Sequence, residues 1–284
     1  MADRVLMTLD GEVRDLDAPL VHADDIGVLR GDGVFETLLV RGGRACAVEL
    51  HLARLASSAE ALALPEPDRA EWRAAVDLAV EKWGGDREGV LRLVYTRGRE
   101  DAGSPTAFLL LTPVPERVLR TRREGVSVVT LERGYSVDVA RTAPWQLIGA
   151  KTLSYATNMA ALRHAEALGV DDVIYTSSEG YVLEGPRSTV VIARGRTLLT
   201  PPAEMGVLPG TTQQALFDVA GDHDFAVRYE PLRPADLIVA DGVWLVSSVS
   251  RAARVHMLDG HPLSVRSLAG TVEELVDKAV DAAS

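Results

Sequence analysis

Residues 142–162 read TAPWQLIGAKTLSYATNMAAL, and Lys151 is the only charged side chain among them. The chain spells its other cations almost entirely as arginine: of 30 basic residues only three are Lys, at 82, 151 and 278. Lys82 (AVEKWGGDRE) and Lys278 (EELVDKAVD) sit in charged, helix-like stretches, whereas Lys151 stands in an uncharged region. Arginine stays protonated and cannot act as an amine nucleophile; a desolvated lysine can. Charge isolation alone leaves two readings open. Either Lys151 snorkels from a partly buried loop, or burial lowers its pKa so that the neutral amine can form a Schiff base.

Mixed strands and helices flank this stretch. After it, a helix is predicted over 155–168, ended by Gly169, followed by strand-like segments at 172–176, 181–183 and 189–193. A turn, LPGTT (208–212), leads to a helix at 213–220, then a strand at 243–248 and a last helix over about 271–282. Before it, the first half reads as strand 33–41, helical patterns over 48–64 and 69–83, and strands at 90–96 and 107–112. Two prolines and a burst of charge in PVPERVLRTRRE (113–124) mark a linker over 114–124. That leaves a smaller domain over 1–113 and a larger one over 125–284, with a strand at 126–130. No strict βαβ alternation runs through either half, so the expected fold class is α+β, in two domains with a cleft between them.

The 284 residues suit one large or two modest domains, and 47% hydrophobic with 25% charged residues is ordinary for a globular core. A net charge of -11 argues against nucleic acid or an anionic membrane as main partner, while leaving room for a small-molecule anionic substrate held by local Arg residues. One cysteine, Cys46, permits neither an internal disulfide nor a cysteine-based metal site, which points to a cytoplasmic location. The first 17 residues lack the apolar stretch of a secretion signal, and no apolar run approaches the length of a membrane span. The six His residues show no metal-ligand spacing, and no metal is expected. No P-loop or GxSxG elbow occurs, and Gly31-Asp32-Gly33 lacks the third glycine of a dinucleotide fingerprint.

Four further segments can carry chemistry, each with a plainer alternative. Glu184 is either an exposed turn carboxylate or the partner of a protonated ring nitrogen. Leu208-Pro209-Gly210-Thr211-Thr212 offers N–H groups and a hydroxyl at a helix start, suited to phosphate and equally to an N-cap. Ser247-Ser248 closes a strand, and Arg54 lies on a helix where most arginines are solvated.

In order, GDGVFET (31–37), HLARLASSA (51–59), TRG (96–98), Lys151 with Glu184 33 residues later, LPGTT, and ADGVWLVSSVS (240–250) with LDG (258–260) resemble the class IV aminotransferase family of pyridoxal-phosphate enzymes. The resemblance spans nearly the whole chain. It implies a two-domain fold-type IV architecture with the cofactor, pyridoxal 5'-phosphate, in the interdomain cleft, and a homodimer. By motif position Lys151 would carry the cofactor as a Schiff base and Glu184 would pair with the pyridine nitrogen. Arg54, Thr212 and Ser248 would hold the phosphate, helped by the backbone of Thr211. Tyr155 would approach the ring hydroxyl and Leu208 would pack on the ring face. Ser188, Thr189, Gly210 and Ser247 complete the expected cofactor shell, Thr189 standing where the family commonly has Asn. Phe35, Tyr95 and Arg97 would line the substrate pocket.

Within the family, KTLSYATN (151–158) and EGPRST (184–189) are most similar to the aminodeoxychorismate lyase branch. Branched-chain aminotransferases usually carry Gly-Asn-Tyr after the lysine and a late Gly-Thr-Ala turn. D-amino-acid transaminases usually have Tyr at the place of Phe35 and an Arg-x-His trap, where this chain reads Arg97-Gly98-Arg99. The lyase reading implies conversion of 4-amino-4-deoxychorismate to 4-aminobenzoate and pyruvate, a folate precursor step, with Arg97 and Arg99 as carboxylate clamps. An amino-acid aminotransferase, of D-amino-acid or branched-chain type, is the alternative, because both chemistries use the same cofactor shell.

Overall fold

A computed structural model of the chain describes residues 4–85, 87–101, 103–263 and 269–283. The outermost residues of the two expected domains, 1–3 and 284, lie outside the described residues. Contacts divide the chain into two units. The first runs to Pro115 and includes Ala150–Tyr155 and the chain's end from Asp281; the second comprises Glu116–Gly149 and Ala156–Val280. The lysine segment therefore belongs to the first unit although it follows 34 residues of the second.

The first unit contains β1 (Val5–Thr8), β2 (Val13–Arg14), α1 (Ile26–Arg30), β3 (Gly33–Arg41), β4 (Arg44–Ala45), α2 (Val48–Ala61), α3 (Arg69–Trp83), β5 (Gly89–Thr96) and β6 (Thr106–Pro113). Its strands form one antiparallel sheet in the order β2-β1-β6-β5-β3-β4. Val34, Leu38 and Val40 alternate along β3 and are buried, as a strand with a covered face requires. Helix α2 lies on β3, and α3 lies against β1, β4 and β6. Asp68 caps α3 by accepting from Ala70 and Glu71 N–H at 2.8 and 3.1 Å. Trp72, Trp83, Leu52, Leu55, Leu91 and Leu93 are fully buried, each such leucine contributing about 1.5–3 kcal/mol.

The second unit contains α4 (Glu116–Glu124), β7 (Val126–Glu132), α5 (Val139–Thr142), α6 (Ala156–Ala167), β8 (Asp172–Thr176), β9 (Glu184–Gly185), β10 (Ser188–Arg194), β11 (Thr197–Thr200), α7 (Thr211–Ala220), β12 (Ala226–Tyr229), α8 (Pro234–Ile238), β13 (Gly242–Ser247), β14 (Arg251–Leu258), β15 (His261–Pro262) and α9 (Ala269–Ala282), the last reaching into the first unit. The main path of its mixed sheet is β12-β11-β10-β13-β14-β7-β8, with parallel pairs at β12–β11, β14–β7 and β7–β8. Along β8, Ile174 enters one apolar cluster while Val173 and Tyr175 enter another with Ala165, so both faces of the sheet are covered.

Segment 114–124, expected as a linker, instead carries α4. Its prolines precede the first turn, where a missing N–H is harmless. Val118 is the buried residue of the helix, and Arg122 donates to Val249 O at 2.7 and 3.0 Å. One apolar anchor in nine residues leaves no periodicity to read. The strand expected at 181–183 is displaced to β9, Val182 forming only an isolated bridge with Thr176. Among the described residues, no helix is long and apolar enough to cross a membrane.

Candidate active site

In the first unit the Lys151 segment lies alongside the start of β3. Phe35 N–H donates to Lys151 O at 3.1 Å, Leu153 N–H donates to Gly33 O at 2.8 Å, and Val34 bridges Thr152. Gly33 permits this approach: a Cβ there would lie 2.8 Å from Leu153 Cδ1, 2.8 Å from Tyr95 O and 2.9 Å from Thr96 Cα. The glycine of this motif thus serves close backbone packing. Lys151 N–H also donates to Ser58 Oγ on α2 at 3.1 Å. Lys151 Nζ stands 4.5 Å from the Phe35 ring centroid and 6.0 Å from that of Tyr155, and the two rings meet edge to face at 5.4 Å. The amine is therefore set against aromatic surface.

Arg54 lies on α2 one turn before Ser58. It donates through Nε to Glu36 Oε1 at 2.7 Å and through Nη2 to Glu36 Oε2 at 2.8 Å, while His51 Nδ1 stands 2.6 Å from Glu36 Oε2. Glu36 and His51 are essentially inaccessible. Burial alone would raise the Glu36 pKa, but the Arg54 charge, with hydrogen bonds from Arg54 and His51, outweighs it and holds the carboxyl well below its ordinary range. Burial lowers the His51 pKa, only partly opposed by Glu36. A neutral ring beside a carboxylate donates its Nδ1–H.

Tyr95 and Arg97 are engaged elsewhere. Strand register sets Val34 opposite Tyr95 and Phe35 opposite Val94, so Tyr95 points to the sheet face opposite Phe35. Its hydroxyl donates to Pro65 O at 3.1 Å and its ring meets Trp72 edge-on. Arg97 binds Asp32 through Nε at 2.7 Å and Nη2 at 3.3 Å, and donates to Leu62 O at 2.6 Å and Ala63 O at 3.2 Å. Arg99 donates to both carboxylate oxygens of Asp24 at 2.9 Å. A substrate carboxylate would have to compete with these acids.

In the second unit Glu184 is buried, accepting from Arg133 Nη1 at 2.5 Å on one oxygen and from Leu208 N–H at 3.0 Å on the other. Its two oxygens thus meet one cationic and one backbone donor. Burial works against the Arg133 cation, yet the Glu184 charge, with smaller contributions from Tyr135 and Tyr175, leaves its pKa raised. The Leu208 bond joins the LPGTT turn to the EGPRST segment. Asn158 of the KTLSYATN segment ties the EGPRST segment to β8, donating to Pro186 O at 3.1 Å while accepting from Tyr175 Oη at 3.2 Å.

Thr189 pairs in register with Glu184 on one side and Val246 on the other. A methyl group at Gly210 would collide with Thr189 Oγ1, so the glycine of LPGTT fits closely against the residue that departs from the family pattern. Gly210 is the N-cap of α7 and, having no side chain, supplies no side-chain cap of its own; Thr211 and Thr212 follow, both buried. Ser188 Oγ is buried without a hydrogen-bond partner among the described residues. Ser247 Oγ, at the end of β13, accepts from Ser250 N–H at 3.3 Å, and Ser248 follows it.

The first unit thus brings together Phe35, Lys151 and Tyr155, with Arg54 on the helix that anchors Lys151. The second brings together Glu184, Thr189, Leu208 and Gly210. Glu36, His51 and Arg133 were not among the expected site residues. Glu36 and His51 left a trace in the sequence: an acid inside the apolar run GVFETLLV, and a histidine three positions before Arg54 on one helix face. Arg133 left none, because 51 residues separate it from Glu184. Taken unit by unit, these are the group types that a carbonyl cofactor with a basic ring nitrogen and a phosphate calls for. The first unit offers the Lys151 amine; the second offers the Glu184 carboxylate and, at the start of α7, backbone N–H groups with two threonines of the kind that could meet an anion. Among the described residues no group of three or more His, Cys, Asp or Glu is placed to hold a metal.

The amino-transferase class IV family profile matches residues 33–258. The chain belongs to the class IV aminotransferase family. It is 53% identical over 285 residues to a bifunctional aminodeoxychorismate lyase / D-amino acid transaminase of Mycobacterium tuberculosis, covering 97% of this chain and 99% of that protein. A structure of a hypothetical aminotransferase from Mycobacterium tuberculosis in its PLP-bound form superposes with TM-score 0.96 at 54% identity, covering 98% of this chain and 99% of that one. A fold IV-transaminase from Curtobacterium pusillum superposes with TM-score 0.92 at 40% identity, covering 99% and 98%. The α+β, fold-type IV class expected from the motifs is thereby established.

Proposed function

We propose that this chain is a pyridoxal-phosphate-dependent 4-amino-4-deoxychorismate lyase that releases 4-aminobenzoate and pyruvate, and that D-amino-acid transamination is a second activity of the same site. The observation that carries the enzyme reading is the Lys151 amine held against Phe35 and Tyr155, while Glu184 is held by Arg133 and Leu208 N–H. The lyase assignment is supported by the KTLSYATN and EGPRST segments. The second activity is supported by the 53% identity to a relative that carries both names.

Pyridoxal phosphate supplies the electron sink. Lys151 would hold it through Nζ, and once freed by the substrate amine that Nζ would serve as the base. Glu184 would be the carboxylate partner for its ring nitrogen, oriented by Arg133. Arg54, Thr212, Ser248 and the α7 N–H groups would hold its phosphate. In the lyase reaction Lys151 removes the C4 proton, and the C3–oxygen bond to the enolpyruvyl group breaks. That group takes up a proton and leaves as pyruvate, so the ring becomes aromatic. In transamination the same Nζ would take up the α-proton of the amino acid, whose amino group is what is transferred.

The test is 4-aminobenzoate formation by the purified chain from aminodeoxychorismate, alongside amino-group transfer from D-alanine to 2-oxoglutarate. Lys151→Ala should abolish both. No 4-aminobenzoate from protein that binds the cofactor would remove the lyase reading; turnover that survives Lys151→Ala would remove the mechanism.

A further inference from the structure

Glu36 is an acid where a strand in a closed core ordinarily carries Val or Leu. Its neighbours on the same face of β3, Val34 and Leu38, are fully buried, as is Glu36 itself. A carboxylate persists in such a place only when donors satisfy it. Four do: Arg54 Nε at 2.7 Å, Arg54 Nη2 at 2.8 Å, His51 Nδ1 at 2.6 Å and the Thr37 N–H at 3.3 Å. His51 and Arg54 stand three apart on α2, so one helix face delivers both to a single carboxylate.

The form of the Arg54 contact matters. The Nε–Nη2 edge of the planar guanidinium lies against the two Glu36 oxygens. That fixes the plane of the group and turns its Nη1 side away from Glu36. An arginine that only neutralised a buried acid would serve equally well in other poses. This one is held in a single pose, its side chain 13% exposed, on the helix whose next turn anchors the Lys151 backbone through Ser58.

We propose that Glu36 and His51 are positioning residues for the cofactor phosphate: Glu36 clamps Arg54 edge-on in the pose that meets the phosphate, and His51 fixes the Glu36 carboxylate. The proposal rests on the reading that Arg54 holds the phosphate of pyridoxal phosphate. Neither residue touches the reacting atoms.

A comparison of two ligands tests it. The full chain, freed of cofactor, is titrated with pyridoxal phosphate and separately with pyridoxal, which has the same ring and aldehyde and no phosphate. Binding is followed by the visible absorbance gained on joining Lys151. In the parent, pyridoxal phosphate binds much more tightly. In Glu36→Gln, pyridoxal phosphate affinity should fall roughly tenfold or more, as expected when one charge-assisted contact is misaligned. Pyridoxal affinity should stay within about twofold.

Equal losses for the two ligands would show that Glu36 only supports the fold, and no loss for either would show that Arg54 needs no clamp; both overturn the proposal. Should Glu36→Gln fail to fold, the His51 pair decides. His51→Asn keeps a donor near the Nδ1 position and should retain the preference for the phosphate-bearing ligand, while His51→Leu should weaken it. Equal behaviour of the two overturns the proposal. A parent with no preference for the phosphate-bearing ligand would remove the reading of Arg54 itself, and the proposal with it. That outcome is visible before any variant is made.

Discussion

Gly33→Ala tests whether close backbone approach sets the position of Lys151. The new methyl group would meet Leu153 Cδ1 and Tyr95 O at 2.8 Å and Thr96 Cα at 2.9 Å. Leu153 can turn away, but Tyr95 O and Thr96 Cα are backbone atoms of β5, hydrogen-bonded along the whole of β3. Reaching ordinary contact requires the strands or the Lys151 segment to give by roughly half an ångström. Overpacking of this kind costs about 1–3 kcal/mol, offset in part by about 0.4–1 kcal/mol from the stiffer unfolded chain. A net loss of about 1–2 kcal/mol lowers Tm by roughly 2–8 °C in a protein of this size.

Gly221→Ala is the matched control: Gly221 has φ -60 and ψ -38, with open space where the methyl would go. It should leave stability unchanged or raise it by up to about 1 kcal/mol. Thermal melts of the three proteins give the stability ranking, and the visible absorbance on adding pyridoxal phosphate reports whether Lys151 is still in place. A Gly33→Ala protein that melts with the parent and binds with the parent's spectrum and affinity would refute the packing argument.

Acid should act on the first unit in two stages. Folding lowers the His51 pKa from the ordinary 6.5, chiefly through burial with smaller contributions from the Arg54 and Lys151 cations, and lowers the Glu36 pKa from the ordinary 4.5. Each group then binds more protons unfolded than folded, so stability falls as pH drops, first below pH 6.5 through His51 and again below 4.5 through Glu36. The slope reaches about 1.4 kcal/mol per pH unit for each proton. Urea midpoints should show the first stage in the parent and its absence in His51→Asn; identical pH profiles would count against it. Arg133→Met should cost about 2–3 kcal/mol, below the usual range for a broken buried pair because Leu208 N–H still serves Glu184 and both side chains keep some exposure. Combining it with Glu184→Gln should cost less than the sum of the two, and strictly additive urea-derived losses would show that the pair is not coupled.

Local pattern carried much of the fold. Strand 33–41 and helix 69–83 formed as expected, because alternation in one and helical spacing with an Asp68 cap in the other are properties of adjacent residues. Helix α4 escaped because it carries one buried anchor, Val118. Strands β1 and β14 were missed as well, although each pairs with a strand next to it in sequence, β2 and β13, besides a distant one, β6 and β7.

The site divides along the same line. Lys151, Arg54, Glu184 and the LPGTT turn are legible in the sequence because isolation from charge, motif order and turn chemistry are written in neighbouring residues. The ties between them are not. That Arg133 serves Glu184, that Asp32 and two carbonyls of the loop after α2 occupy Arg97, and that Tyr95 faces away from Phe35 are consequences of strand register and of chain segments meeting in space. Side-chain type fixes what a residue can donate or accept, and sequence shows that directly. Which partner takes the bond depends on distances that exist only once the sheets have paired and the helices have packed upon them.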